Sequence, residues 1–265
     1  MVDTVENRPQ AVQAMPAVRA VTFADVKASL IEGLSDFAQA PAFGLAFGAL
    51  YAAGGLAIVA CVFFFELGYL AYPLFAGSVL IGPFVAAGLY DVSRELEAGR
   101  QPTWQGVLST IFAQRQRELG WMAFVTIFAF IIWMYQVRLL LALFLGFSSF
   151  ATLNDFLKVL FTTSDGIAFL AVGHVIGAAL ALGLFSITVI SFPLLMDRDL
   201  DVVTAMITSV QAVLTSPGPM ILWGICVVAL IAIGTAPAFL GLIFVLPVLG
   251  HATWHLYRRA VAPLP

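Results

Sequence analysis

Long apolar runs separated by short polar stretches dominate the chain. The runs from about Ala42 to Phe65, from about Leu70 to Tyr90 and from Ile167 to Met196 each reach the roughly 20 residues that a helix needs to cross about 30 Å of hydrocarbon. Met220 to Leu256 is too long for one helix and carries Pro237 near its middle, which predicts two spans and a tight turn around Thr235, Ala236 and Pro237. In the middle, Arg138 interrupts an apolar stretch. A single tilted span from about Leu119 to Phe144 is expected there, with a span followed by a re-entrant or interfacial helix as the alternative.

Two polar stretches between the runs have helical periodicity. In 25–41 and in 201–217 an aspartate precedes a proline by the same interval, Asp25 to Pro41 and Asp201 to Pro217. Asp25, Ser29, Glu32, Asp36 and Gln39 form a polar stripe matched by Asp201, Thr204, Thr208, Gln211 and Thr215. Val26, Leu30, Leu34 and Phe37 supply the apolar face of the first. Such helices are expected to lie in the membrane interface, apolar face down, until Pro41 and Pro217 turn the chain inward. Trp104, Val107, Leu108 and Ile111 give a weaker third copy. The pattern predicts a three-fold repeat of interfacial helix and helical hairpin over about 23–92, 103–198 and 200–258, each with a proline in its second span: Pro83, Pro193 and Pro247.

Composition changes the picture by fixing the solvent. Residues of the AVILMFWYC set are 62% of the chain, charged residues 10%, and the mean hydropathy is +1.01, too little charge to cover a water-soluble domain. The fold class is therefore an all-α polytopic membrane protein of about six transmembrane helices, with lipid bilayer as its first partner. It occupies 21–259 as a single helical domain behind a polar tail, 1–20, expected to be disordered. The net charge of -3 without a basic stripe excludes a nucleic-acid footprint. Six spans put ten of the twelve Lys and Arg residues on one side, so both termini are expected in the cytoplasm.

Candidate chemistry is sparse. Each span proline frees a carbonyl one turn earlier, which serves either a broken-helix ion site or a packing kink. His251 and His255, four apart on the last helix, share a face with metal-ligand spacing; interfacial hydrogen bonds beside Trp254 and Tyr257 are the plainer expectation. His174 stands at membrane depth, where a titratable group is a functional hypothesis, but Gly173, Gly177 and Gly183 around it predict close helix contact with the imidazole bonded to a partner. Arg138 reads as the best-buried charge, and Glu66 as a turn residue between the first two spans. Asp197, Arg198, Asp199 and Asp201 read as capping and membrane-edge anchoring. Gly44 and Gly48 have helix-packing spacing, and Cys61 and Cys226 are expected as free thiols. No catalytic, cofactor-binding or metal-ligating set is expected.

ISFPLLMDRDLDVVTAMITSVQAVLTSPGPMILWG, followed by PAFLGLIFVLPVLGHATWHLYRR, resembles DUF2189, a domain of unknown function family of predicted bacterial integral membrane proteins. The resemblance extends from about Val21, with HATWHLYRR its most distinctive part. It implies a bacterial inner membrane and brings no activity. The expectation from the residues is a non-enzymatic accessory, scaffold or assembly protein associating with other membrane proteins, for example a respiratory or photosynthetic complex. The alternative is a small-solute or ion transporter or channel.

Overall fold

The computed structural model describes residues 15–64, 68–115, 118–146 and 153–263, without the side chains of 62, 68–80, 83, 114, 115 and 153. Glu66 and the tail up to residue 14 lie outside the described residues, as does the side chain of Pro83. The described residues form eleven helices: α1 (Phe23–Gln39), α2 (Pro41–Phe63), α3 (Gly68–Glu97), α4 (Trp104–Arg115), α5 (Glu118–Leu145), α6 (Leu153–Thr162), α7 (Ser164–Thr188), α8 (Ser191–Asp197), α9 (Val202–Thr215), α10 (Pro217–Thr235) and α11 (Leu242–Ala260). Among them, Pro41–Cys61, Glu118–Leu145, Ser164–Asp197 and Pro217–Thr235 are long and apolar enough to cross a membrane. The expected all-α membrane class holds. The middle region forms the single long helix α5, and the hairpin turn near Pro237 separates α10 from α11.

The junctions follow from local chemistry. Thr22 opens α1 with a capping box: its hydroxyl accepts from Asp25 N–H at 3.2 Å, and Asp25 Oδ2 accepts from Thr22 N–H at 2.8 Å. Asp201 opens α9 by accepting from Thr204 N–H at 2.9 Å. The two aspartates, equivalent by spacing, thus sit at different helical positions. The far ends match better. Ala40 (φ -132°, ψ 55°) and Ser216 (φ -137°, ψ 61°) each close one helix and admit the next, with Pro41 and Pro217 in its first turn. In the long 164–197 stretch, Pro193 offers no N–H to the carbonyl of Val189, and the helix breaks at 189–190. Ser209 Oγ accepts from Ile190 N–H there at 3.1 Å, and Ser191 Oγ donates to Ile187 O at 2.5 Å.

Packing sets the three stretches expected as repeat units in a cyclic order. The first helix of each lies on the second long helix of the preceding unit: α4 on α3, α9 on α7 and α8, and α1 on α11. The seam between units one and two is closed by α3 against α5, and that between three and one by α11 against α2. In the latter the helices run antiparallel, because β-carbons added at Gly44, Gly48 and Gly55 would meet Pro247, Ile243 and Phe239 in turn. Phe239 reaches Gly55 from a left-handed backbone (φ 68°), as does its neighbour Ala238 (φ 50°), so the α10–α11 turn is held in a strained shape by its packing.

Three expectations are corrected. Met15 to Ala20 belongs to the fold rather than to a disordered tail: Val18 pairs antiparallel with Val261, Arg19 N–H donates to Ala260 O at 2.8 Å, and Ala262 N–H donates to Ala17 O at 2.8 Å. The polar stripe of α1 faces α11 instead of water, with Ser29 and Asp36 buried and Ile31 and Leu34 exposed. The amphipathic helix α6, absent from the sequence reading, precedes α7 and packs on it.

Candidate functional site

The polar end of the bundle, where both ends of the described chain lie, is organised by α11. Its His251, His255, Arg258 and Arg259, separated by four, three and one positions, face different neighbours. Toward α1, His255 sets Nε2 2.7 Å from Asp36 Oδ2 and Nδ1 3.2 Å from Glu32 Oε2. Arg259 donates to both oxygens of Glu32, at 2.8 and 2.6 Å, and its Nε is 3.6 Å from Asp25. The Arg259 guanidinium holds the Glu32 carboxyl below its ordinary range, and the Thr22 hydroxyl and N–H do the same for Asp25. Gly33 lets α1 approach closely, since a β-carbon there would come 2.5 Å from Ala252 N.

Toward α3 and α8, His251 Nδ1 is 2.8 Å from Ser93 Oγ, and Trp254 Nε1–H donates to Glu97 at 3.0 Å. Arg258 bridges Glu97 (3.0 Å) and Asp197 (3.4 Å), and Tyr257 donates to Asp197 at 2.5 Å. Arg198 donates to Ala262 O and so ties the C-terminal segment to the end of α8. Beneath these groups Tyr90, Trp223, Trp254 and Tyr257 pack with Leu119, Met122, Ile190 and Leu194 in one buried core. Arginine, histidine and tyrosine at this end are therefore engaged in joining helices, and among the described residues no group of three or more His, Cys, Asp or Glu converges to hold a metal.

The third seam differs. Where the cyclic order would bring α10 against α7, the two helices pack only loosely. Near the polar end the Phe185 ring faces Gly224, 3.6 Å from where a β-carbon would stand; elsewhere α5, α7 and α10 line a groove of about 830 Å³. Its walls are apolar, with Gly173, Gly177 and Ala181 on α7 and Ile221, Ile225 and Val228 on α10. Gln136 and His174 are its polar members.

The groove overturns two expectations. The glycines around His174 make no tight helix contact: nothing comes within 4 Å of a β-carbon at Gly177 or Gly183, and at Gly173 the nearest atom is 3.8 Å away. His174 bonds to its own helix, with Nδ1 2.6 Å from Leu170 O, rather than across to a neighbour. Arg138, expected to be the best-buried charge, is exposed on α5. It lies seven residues from the end of that helix, about 10 Å by helical rise, which is within reach of the far surface for a snorkelling arginine.

The prolines separate as well. Pro247 deprives Ile243 O of its helical donor, and that carbonyl is covered by α2: a β-carbon at Gly48 would stand 2.4 Å from it. Pro193 lies buried at the α7–α8 break. Cys61 and Cys226 are free and half-buried.

A family model described as predicted integral membrane protein, DUF2189, matches residues 71–197. The similarity to this family covers just under half of the chain. Comparison with curated proteins and with solved structures gives no match. The matched segment runs from α3 to α8 and contains two walls of the groove, α5 and α7, together with the partners Ser93, Glu97 and Asp197 of the α11 hub. The HATWHLYRR ending, expected to be the most distinctive part of the resemblance, lies outside the matched residues, as does α10.

Proposed function

We propose that this protein is a non-enzymatic integral membrane accessory or assembly protein of the bacterial inner membrane, which associates with another membrane protein and has both termini in the cytoplasm. The observation that carries this reading is the open seam between α7 and α10, an apolar groove at membrane depth in a bundle whose other two seams are filled by helices. His255, Arg258 and Arg259 at the polar end add support, because their side chains bond to carboxylates on other helices of the same chain. A transporter reading draws on His174 and Gln136 in the groove; against it stands the aromatic core of Tyr90, Trp223, Trp254 and Tyr257 packed at the polar end.

The test is purification of the full-length protein from its native membrane in mild detergent. A stoichiometric membrane-protein partner is the expected result. A protein that purifies alone and, after reconstitution, moves a solute in a manner abolished by His174→Leu would overturn the reading.

A further inference from the structure

Resting on the accessory reading, we propose that Tyr135 and Arg138 of α5 form a docking point for a carboxylate carried by one transmembrane helix of the partner protein. The two residues are three apart and so share a face of α5. Both are exposed, and among the described residues neither side chain has a hydrogen bond or an ion pair. The arginines of the polar end differ: Arg94, Arg258 and Arg259 each meet a carboxylate of the same chain.

Depth turns the missing partner into a chemical demand. Helix α5 is long and apolar enough to cross a membrane, and it starts at the polar end, where Glu118 accepts from Val202 N–H at 3.0 Å. Arg138 lies seven residues from the far end of α5 and Tyr135 ten, about 10 and 15 Å by helical rise. A cation at that depth needs a counter-charge beside it or a route to water. Helical side chains lean toward the N-terminus of their helix, which on α5 is toward the middle of the bilayer. A headgroup phosphate can serve a snorkelling Arg138, but the phenol of Tyr135 stands one turn deeper. One carboxylate level with the two residues serves both, as counter-ion to the guanidinium and acceptor for the hydroxyl.

The chain already holds an acid with these two donors. Tyr257 O–H donates to Asp197 Oδ2 at 2.5 Å, and Arg258 Nη1 lies 3.4 Å from the same oxygen. On α5 the same donor types face outward, and their acceptor is supplied by another protein. Room for its helix is present: the exposed residues Trp121, Phe124, Phe128, Ile131, Tyr135 and Arg138 alternate at intervals of three and four, the spacing with which one helix lines up along another. The partner helix is therefore apolar, with one Asp or Glu in the half of the bilayer away from the polar end.

The experiment uses the full chain in its native membrane. Because neither side chain bonds within this protein, Arg138→Leu and Tyr135→Phe should keep the wild-type unfolding temperature. Arg138→Leu is expected to weaken retention of the partner by about thirtyfold or more, the effect of stranding one member of a buried charge pair. Tyr135→Phe is expected to weaken it by about fivefold. A photoreactive benzoylphenylalanine at Leu139 should crosslink to a segment of that same partner containing an Asp or Glu. Arg138→Glu should release the partner, and replacing that acid by arginine in the partner should restore the complex. If Arg138→Leu keeps the partner, or the crosslinks from Leu139 reach only lipid, the arginine serves a phospholipid headgroup and the inference fails while the accessory reading stands. A crosslinked segment without a carboxylate overturns the inference in the same way. If wild type retains no partner at all, the accessory reading falls and takes this inference with it.

Discussion

Gly48 lies against the carbonyl of Ile243, the one that Pro247 leaves without a helical donor. Two sequence features that look independent, a glycine with packing spacing and a proline inside a span, thus meet at one contact. The glycine's bare backbone offers Cα–H to the freed oxygen in place of the missing N–H. This account makes Gly48→Ala destabilising by about 1 to 3 kcal/mol, since its β-carbon would be 2.4 Å from backbone oxygen and 2.7 Å from Ile243 Cα. Gly177→Ala should be neutral or stabilising by up to about 1 kcal/mol, through helix propensity alone. Thermal unfolding of the two variants in detergent checks the difference in sign; equal losses would mean that the α2–α11 contact is not as tight as described.

The Glu32–Arg259 pair makes stability depend on acid. Arg259 holds the folded-state pKa of Glu32 below its ordinary value of 4.5. The sign follows from linkage: a depressed carboxyl contributes its full stabilisation above 4.5 and loses it as the pH falls through the lowered value. Glu32→Gln should therefore unfold at a lower temperature than wild type near neutrality, and the gap should close in acid. With the Glu32 side chain 42% exposed, the effect is on the order of 1 kcal/mol or less and shrinks in salt. Melting curves for both proteins across this range are the measurement, and a gap that persists in acid would assign the loss to packing.

The spans were legible because each one satisfies its own backbone and must be oily for its full length; α2 and α5 fall within a few residues of the positions expected from hydropathy. Contacts between units were not. Asp36 and His255 are 219 residues apart, and an amphipathic helix read alone looks as if its polar stripe should face water. The missed signal was complementarity. Acidic residues at 25, 32 and 36 repeat at helical spacing on α1, and basic or imidazole groups at 251, 255, 258 and 259 do so on α11. The groove had no sequence signal either, since the glycines of α7 read as packing residues whether or not a helix covers them.

The Asp36–His255 contact should reveal its strength when broken. Asp36 is buried, so His255→Ala leaves a carboxylate without its nearest partner, at a cost of about 3 kcal/mol. In an Asp36→Asn background the same histidine change should cost much less, because no charge is then stranded. A structural readout accompanies the energy: Ser29 is fully buried between α1 and α11, so a cysteine there should resist maleimide in otherwise wild-type protein and become reactive in the His255→Ala variant. Equal penalties in both backgrounds would remove the electrostatic explanation.

The pairing of Val18 with Val261 requires the two ends of the described chain to emerge on one face of the membrane. Arg19, Arg94, Arg198, Arg258 and Arg259 gather at that same end of the bundle, and a basic face is the one that stays in the cytoplasm during insertion. In intact cells, single cysteines at Arg19 and Ala262 should therefore be shielded from an impermeant maleimide. A cysteine at Ala238, in the turn between α10 and α11, should be labelled from outside. Labelling of Ala262 from outside with Ala238 shielded would reverse the orientation and leave the fold intact. Labelling of both from one side would remove the membrane crossing by α11, whose 19 residues carry Pro247 in their interior and two arginines in their last turn.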